Sequence, residues 1–314
     1  MSSALVVAGL APSMDAVLGR LQRGHGDPTL RRVPYGWWRA LNTPDGPALV
    51  HFERSDRDVR VTAVGDGATW ALDRAPAQLG ADDHPEQFAP DHRLLSAVLH
   101  RRSVRCGASG LLAESLACSI IEQRVTGVEA FTSIRRLVRR YGTPAPGAEA
   151  QDHPAHGMFA APTAQEWAAV PSWQFLQVGV DEGRSATLRR AMAKVPALER
   201  VLARTNAQPG TAQGEVLEQA LRTLPGIGPW TAAKVRQQAL GDPDAWSVDD
   251  YHVPRMVAHQ LGGDPAEALE VFRPHRYRVE IALMVVGMPE RHGPRRSLPT
   301  HMPVRGGWRG RHGG

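Results

Sequence analysis

The sequence predicts an α+β protein: a β-rich N-terminal domain over residues 1–88, a helical region over 89–288 and a basic, disordered tail over 289–314. Three observations carry this. Apolar and polar residues alternate in the first part, apolar residues recur every three or four positions in the second, and the end is rich in Arg, Gly and Pro. A chain of 314 residues with 42% hydrophobic content is long for a single core and can build more than one.

The opening "MSSALVVAGLAP" has an apolar run with no basic residues ahead of it, so it reads as a first strand and not as a secretory leader. In "ALVHFERSDRDVRVTAVGDGATWALDR" the residues Val50, Phe52, Val59, Val61 and Ala63 fall at alternating positions, and Pro44-Asp45-Gly46 and Asp66-Gly67 mark turns. Tyr35, Trp37, Trp38 and Trp70 are expected to pack on a sheet face.

From about residue 89 the period becomes helical. Leu112, Leu116 and Ile120 share one helix face. Thr126 and Glu129 have the spacing of a capping box, opening a helix through Phe131, Ile134 and Val138 to a stop at Gly142. Residues 143–162, rich in Pro, Gly and Ala, read as a connector. Thr163 and Glu166 form a second capping box, residues 181–195 a helix, and residues 213–223 and 230–240 a helix pair. Asp264, Pro265 and Glu267 open another helix in cap order, and 276–288 form a last apolar helix.

The net charge of +5 leans towards a polyanionic partner, although the basic side is almost all Arg, with Lys only at 194 and 234. The two Cys, Cys106 and Cys118, cannot alone build a four-Cys cluster and are expected as free thiols. No H-E-x-x-H or paired Cys/His spacing occurs, so no metal site is expected. No run of ~20 apolar residues exists, so no membrane span is expected, and a cytoplasmic location follows.

The chemistry concentrates in "LPGIGPWTAAKV", Leu224 to Val235, and "WSVDDYHVPR", Trp246 to Arg255. Pro225 ends one helix, Gly226-Ile227-Gly228 turns the chain, and Pro229 suits the first position of the next helix, where its missing N–H leaves nothing unpaired. Without side chains at Gly226 and Gly228, a phosphate can approach the backbone N–H groups at a helix start, a site for anions that reads no base sequence.

These segments together resemble the helix-hairpin-helix DNA glycosylase superfamily, whose pattern L-P-G-[IV]-G-x-x-T-A is followed by a catalytic Asp. The likeness is to the 3-methyladenine DNA glycosylase II branch and covers roughly residues 89–288. It implies a helical domain of two subdomains with a cleft between them, preceded here by an appended β domain. In "VDDYHV" both the superfamily's V-D-x-H and the branch's D-D-Y select Asp250 as the catalytic residue. Pro254 agrees on location, because it is tolerated only in a helix's first turn and so starts a helix at or just after Asp250. The same Asp can also cap that helix.

Bifunctional relatives carry a Lys where Trp230 stands, so the resemblance implies a monofunctional enzyme. Trp230 and Tyr251 are then expected as walls of a base pocket. Gln123, in "IIEQRVTGVEA", matches a glutamine near that pocket or near the intercalation loop. Gly226, Ile227, Gly228, Thr231 and Lys234 are expected to bind the DNA backbone. Met284 stands where the branch often has a Trp, which leaves the pocket's shape open. The resemblance further implies no cofactor beyond a monovalent cation at hairpin carbonyls such as those of Leu224 and Ile227. It implies a nucleoid-associated monomer acting on duplex DNA with damaged, alkylated purines. An oxidised-purine glycosylase with lyase activity and a non-catalytic lesion-binding protein are the alternatives.

Overall fold

The computed structural model describes residues 3–101, 104–205 and 211–287; the expected tail over 289–314 lies outside them. Among the described residues, five strands form an antiparallel sheet: β1 (Ser3–Val7), β2 (Leu30–Val33), β3 (Gly36–Thr43), β4 (Gly46–Ser55) and β5 (Asp58–Val64), in the spatial order β1-β5-β4-β3-β2. The β4–β5 turn needs a left-handed residue, which Asp56 supplies at φ 57°. Register places Trp37 opposite Phe52 and Phe52 opposite Val61, so the alternating apolar residues line one face.

Two helices cover that face: α1 (Ala11–Gly19), between β1 and β2, and α2 (Ala68–Gln78), after β5. Neither is expected from strand alternation. Trp70 therefore lies on a helix and not on a strand. The spacing of Ala68, Ala71, Leu72 and Ala75, all buried, is helical and decides the matter over so short a stretch. Tyr35 is 75% exposed in the β2–β3 turn and packs on no sheet face, whereas Trp37 is buried and its indole donates to Asp15 Oδ1 at 2.8 Å. Trp38 stacks on His51 across the strand pair.

The expected connector is part of the core. Residues 143–162 pair two short strands, β6 (Thr143–Pro144) and β7 (Phe159–Ala160), and lay Ala145, Ala148, Ala155 and Met158 against Ala40 and Leu49 on the second sheet face.

The helices form two clusters. The larger is built by α4 (Leu112–Ile121), α5 (Gly127–Tyr141), α6 (Ala164–Ala169), α7 (Ser172–Gln177), α8 (Glu182–Met192), α9 (Val195–Arg204), α10 (Thr211–Arg222) and α11 (Pro229–Val235), with Trp167 and Phe175 at its centre. Thr126 and Thr163 cap α5 and α6 through complete capping boxes. Residues 181–195 divide differently from expectation: Asp181 caps α8, which ends at Met192, and Val195 opens α9 with Pro196 behind it. The smaller cluster joins α3 (Arg93–Arg101) to α12 (Val253–Leu261), α13 (Pro265–Glu270) and α14 (Arg276–Val286) through Leu95, Met256, Leu269 and Val279. The chain thus enters the C-terminal cluster first, crosses the larger one, and returns through residues 241–252.

Buried ion pairs fasten these parts together. Arg23 lies 3.5 Å from Glu114 and 3.8 Å from Glu122, joining the β domain to α4. The Arg278 guanidinium of α14 grips Asp83, beyond α2, and the Val104 carbonyl. None of the described helices is long and apolar enough to cross a membrane.

Candidate active site

The hairpin joins α10 to α11. Gly226 has φ +90°, and a Cβ there would stand 2.4 Å from Thr187 Oγ1, so only glycine fits this close approach to α8. Gly228 is the N-cap of α11 in extended conformation, and a Cβ built on it would meet open space. Among the described residues, the N–H groups of Gly226 and Gly228 have no acceptor, so the side-chain-free backbone is presented outward as the glycine pattern requires.

Two of the residues expected at the DNA backbone have side chains turned into the protein. Ile227 is buried in the larger helical core and its N–H bonds the Leu224 carbonyl at 3.1 Å, closing the turn. Thr231 is 2% exposed and accepts a hydrogen bond from Gln123 Nε2 at 2.8 Å. Both anchor the hairpin from behind. Gln123 belongs with them: the same amide nitrogen donates to the Gly226 carbonyl at 3.0 Å, so the side chain expected near a base pocket ties the end of α4 to the hairpin. Next to it in the chain, Arg124 is exposed at φ 57°.

Asp250 lies in the segment that crosses between the helical clusters, just ahead of α12, where Pro254 sits in the first turn as its ring demands. Asp250 Oδ1 accepts the His252 and Val253 N–H groups at 2.8 and 3.1 Å, closing the turn that leads into α12. Oδ2 accepts the indole N–H of Trp230 at 2.9 Å. Trp230 is thus more than a stacking surface: α11 aims its ring so that the N–H meets the carboxylate. Burial by itself raises the Asp250 pKa. The Trp230 bond, the two backbone bonds and the charge of Lys234 outweigh it and hold the carboxyl below its ordinary value. A carboxylate has about four acceptor positions. Oδ1 uses two and Oδ2 one, so the remaining lone pair is on Oδ2.

The neighbouring Asp249 adopts the left-handed conformation at φ 59°. Tyr251 is 63% exposed. Arg255 stands over its ring at 4.9 Å and His252 meets it edge-on, so it offers a stacking surface but encloses no pocket. Lys234 is half-buried, and its charge acts on Asp250, Glu122 and Glu280. Met284 is 46% exposed on α14. A cavity of about 720 Å³ opens between α2, α9 and the start of α14, but Asp250, which is half-buried, is not among its lining residues.

Sequence reading missed Ser247, Gln237 and Glu280, which hold the Asp250 segment from beneath. Glu280, fully buried, accepts both the N–H and the O–H of Ser247. Its one signal in the sequence is a lone acid within the apolar run "VEIALMVV". Cys106 and Cys118 are free and buried, and burial pushes the Cys106 thiol up to about 12. Among the described residues no His, Cys, Asp and Glu side chains group as a metal site.

No protein-family model matches the sequence. It is 30% identical over 233 residues, 71% of its length, to a probable bifunctional transcriptional activator/DNA repair enzyme AlkA of Mycobacterium tuberculosis, but spans only 44% of that relative. Among solved structures, the fold resembles a 3-methyladenine DNA glycosylase from Archaeoglobus fulgidus (TM-score 0.70, 18% identity, 90% of this chain and 97% of that one). It also resembles an 8-oxoguanine glycosylase/lyase from Clostridium acetobutylicum (TM-score 0.60, 12% identity, 90% and 97%). With a sheet domain ahead of two helical clusters and a glycine hairpin set beside an Asp at a helix start, the chain has the helix-hairpin-helix DNA glycosylase fold.

Proposed function

We propose that the chain is a monofunctional DNA glycosylase that hydrolyses the N-glycosidic bond of alkylated purines, of the 3-methyladenine and 7-methylguanine type, in duplex DNA. The observation that carries this reading is the bond from Trp230 to Asp250: the ring that occupies the position of a lyase lysine also holds the adjacent carboxylate in its charged form.

Breaking the bond between base and deoxyribose builds positive charge on the sugar, as in glycoside hydrolysis. A fixed, ionised Asp250 stabilises that charge, and the lone pair left on Oδ2 faces the sugar or the attacking water. Alkylation at N3 or N7 gives the base a positive charge, making it a good leaving group that needs no strong general acid. The outward backbone of Gly226 and Gly228 holds phosphates. Flipping the base costs roughly a few kcal/mol, least where damage has already weakened its pairing. With no amine at position 230, the product is an abasic site in an uncut strand.

Mass analysis of bases released from methylated duplex DNA tests this. Wild type is expected to release methylated purines, and Asp250→Asn to release none while binding the same duplex. Release by Asp250→Asn at the wild-type rate would overturn the catalytic assignment and favour a non-catalytic cap. A covalent adduct trapped by borohydride would overturn the monofunctional one and point to a lyase, with Lys234, one helical turn beyond Trp230, as the nearest amine in the sequence.

A further inference from the structure

Beneath the Asp250 segment lies a carboxylate that the reaction itself does not use. Glu280 of α14 is fully buried. Its Oε2 accepts the Ser247 N–H and its Oε1 the Ser247 O–H, each at 2.9 Å. The Ser247 oxygen in turn accepts Gln237 Nε2 at 3.0 Å, and that nitrogen also donates to the Ala245 carbonyl. The Ser247 carbonyl accepts the Asp250 N–H at 3.2 Å. An unbroken series of hydrogen bonds therefore runs from the core of α14 to the backbone of Asp250.

As a carboxylate Glu280 accepts both Ser247 groups that face it, one on each oxygen, while the Ser247 oxygen accepts from Gln237. A charge buried in this way is costly. Here it anchors the segment in which Asp249, beside Asp250, takes a left-handed conformation.

We infer that Glu280 is a positioning residue for Asp250: as a carboxylate it clamps Ser247 and so fixes the direction of the Asp250 side chain, and protonation of Glu280 releases the clamp. The inference rests on the reading that Asp250 assists base release.

A pH signature follows. The charged groups facing Glu280 are Lys234 of α11 and Asp250 of the crossing segment, with Tyr277 on its own helix. Burial drives its pKa up; Lys234 and the two Ser247 bonds offset only part of that, Asp250 adds to it, and the result lies above the ordinary Glu value. The Asp250 pKa is held below its own ordinary value. As pH falls, Glu280 therefore takes up its proton while Asp250 is still charged, and the acid limb of the rate belongs to Glu280.

The test uses full-length Glu280→Gln and Ser247→Ala. Single-turnover release of 7-methylguanine, whose positive charge does not depend on acid, is measured from acidic to neutral pH alongside affinity for a duplex with an abasic site. Glu280→Gln is expected to slow release roughly 10- to 100-fold, the scale of a small misplacement of a reacting group, to leave affinity unchanged, and to abolish the acid limb. A wild-type rate in Glu280→Gln, or an acid limb that persists in it, overturns the inference. If Glu280→Gln does not fold, Ser247→Ala decides: slowed release with unchanged affinity supports the clamp, and an unchanged rate overturns it. Asp250→Asn separates the two readings, because release by that variant defeats the underlying mechanism. An inactive Asp250→Asn beside a fully active Glu280→Gln defeats the clamp alone.

Discussion

The indole nitrogen of Trp230 lies 2.9 Å from Asp250 Oδ2, so a side chain twenty residues away in the chain helps keep this carboxylate charged. Trp230→Phe keeps the ring and deletes the donor. A hydrogen bond to a charged group is worth about 1.5–3 kcal/mol, so base release is expected to slow by roughly tenfold or more. Single-turnover rates on methylated duplex DNA check this; a Phe variant as fast as wild type would leave Trp230 with stacking alone.

Asp250 should also leave a mark on stability. Its folded pKa is lowered, so its ionised form favours the folded state above the unfolded carboxyl value, about 3.9. That contribution is lost as pH falls from there through the folded pKa. Urea denaturation of wild type and Asp250→Asn should show a stability difference that shifts against wild type as pH falls below about 4. A difference that stays constant over that range would contradict the assignment.

The two hairpin glycines should separate folding from binding. Gly226→Ala places a methyl group 2.4 Å from Thr187 Oγ1 at a positive φ, and is expected to cost about 1–3 kcal/mol of stability. Gly228→Ala meets open space at φ −94°, so stability should be unchanged or slightly improved, while the added methyl obstructs a phosphate. Urea melts and fluorescence anisotropy on an abasic duplex report the two effects. Undiminished DNA affinity in Gly228→Ala would remove the hairpin from the DNA-binding surface.

Arg278 and Asp83 form a buried pair joining α14 to the β domain. Asp83→Ala leaves the guanidinium uncompensated and should destabilise the protein by about 3–5 kcal/mol. The double change Asp83→Leu, Arg278→Met should recover much of that, since two apolar side chains bury without a charge cost. A double variant no better than the single one would show that the pair's geometry, and not the stranded charge, carries the cost.

Much of the site was legible because its requirements are local. A hairpin needs glycine, proline belongs in a helix's first turn, and a cap needs a short polar side chain, so Gly226, Gly228, Pro254 and the segment around Asp250 could be read in chain order. The capping boxes at Thr126 and Thr163 and the strand alternation of Val59, Val61 and Ala63 were legible for the same reason. Over residues 68–78 two periods competed in a short window, and packing against the sheet decided for a helix.

The sequence by itself determined the strand alternation around Val59 and Val61, the capped starts of α5 and α6 and the glycine hairpin, because each depends on residues close together in the chain, and its resemblance to a known family singled out Asp250. Only the tertiary structure decided what surrounds them. It turned Thr231, Ile227 and Gln123 into supports behind the hairpin, brought the Trp230 indole onto Asp250, and placed Glu280 under Ser247. Those partners are distant in sequence, and which of a side chain's donors or acceptors is used is settled by how helices pack, not by local pattern.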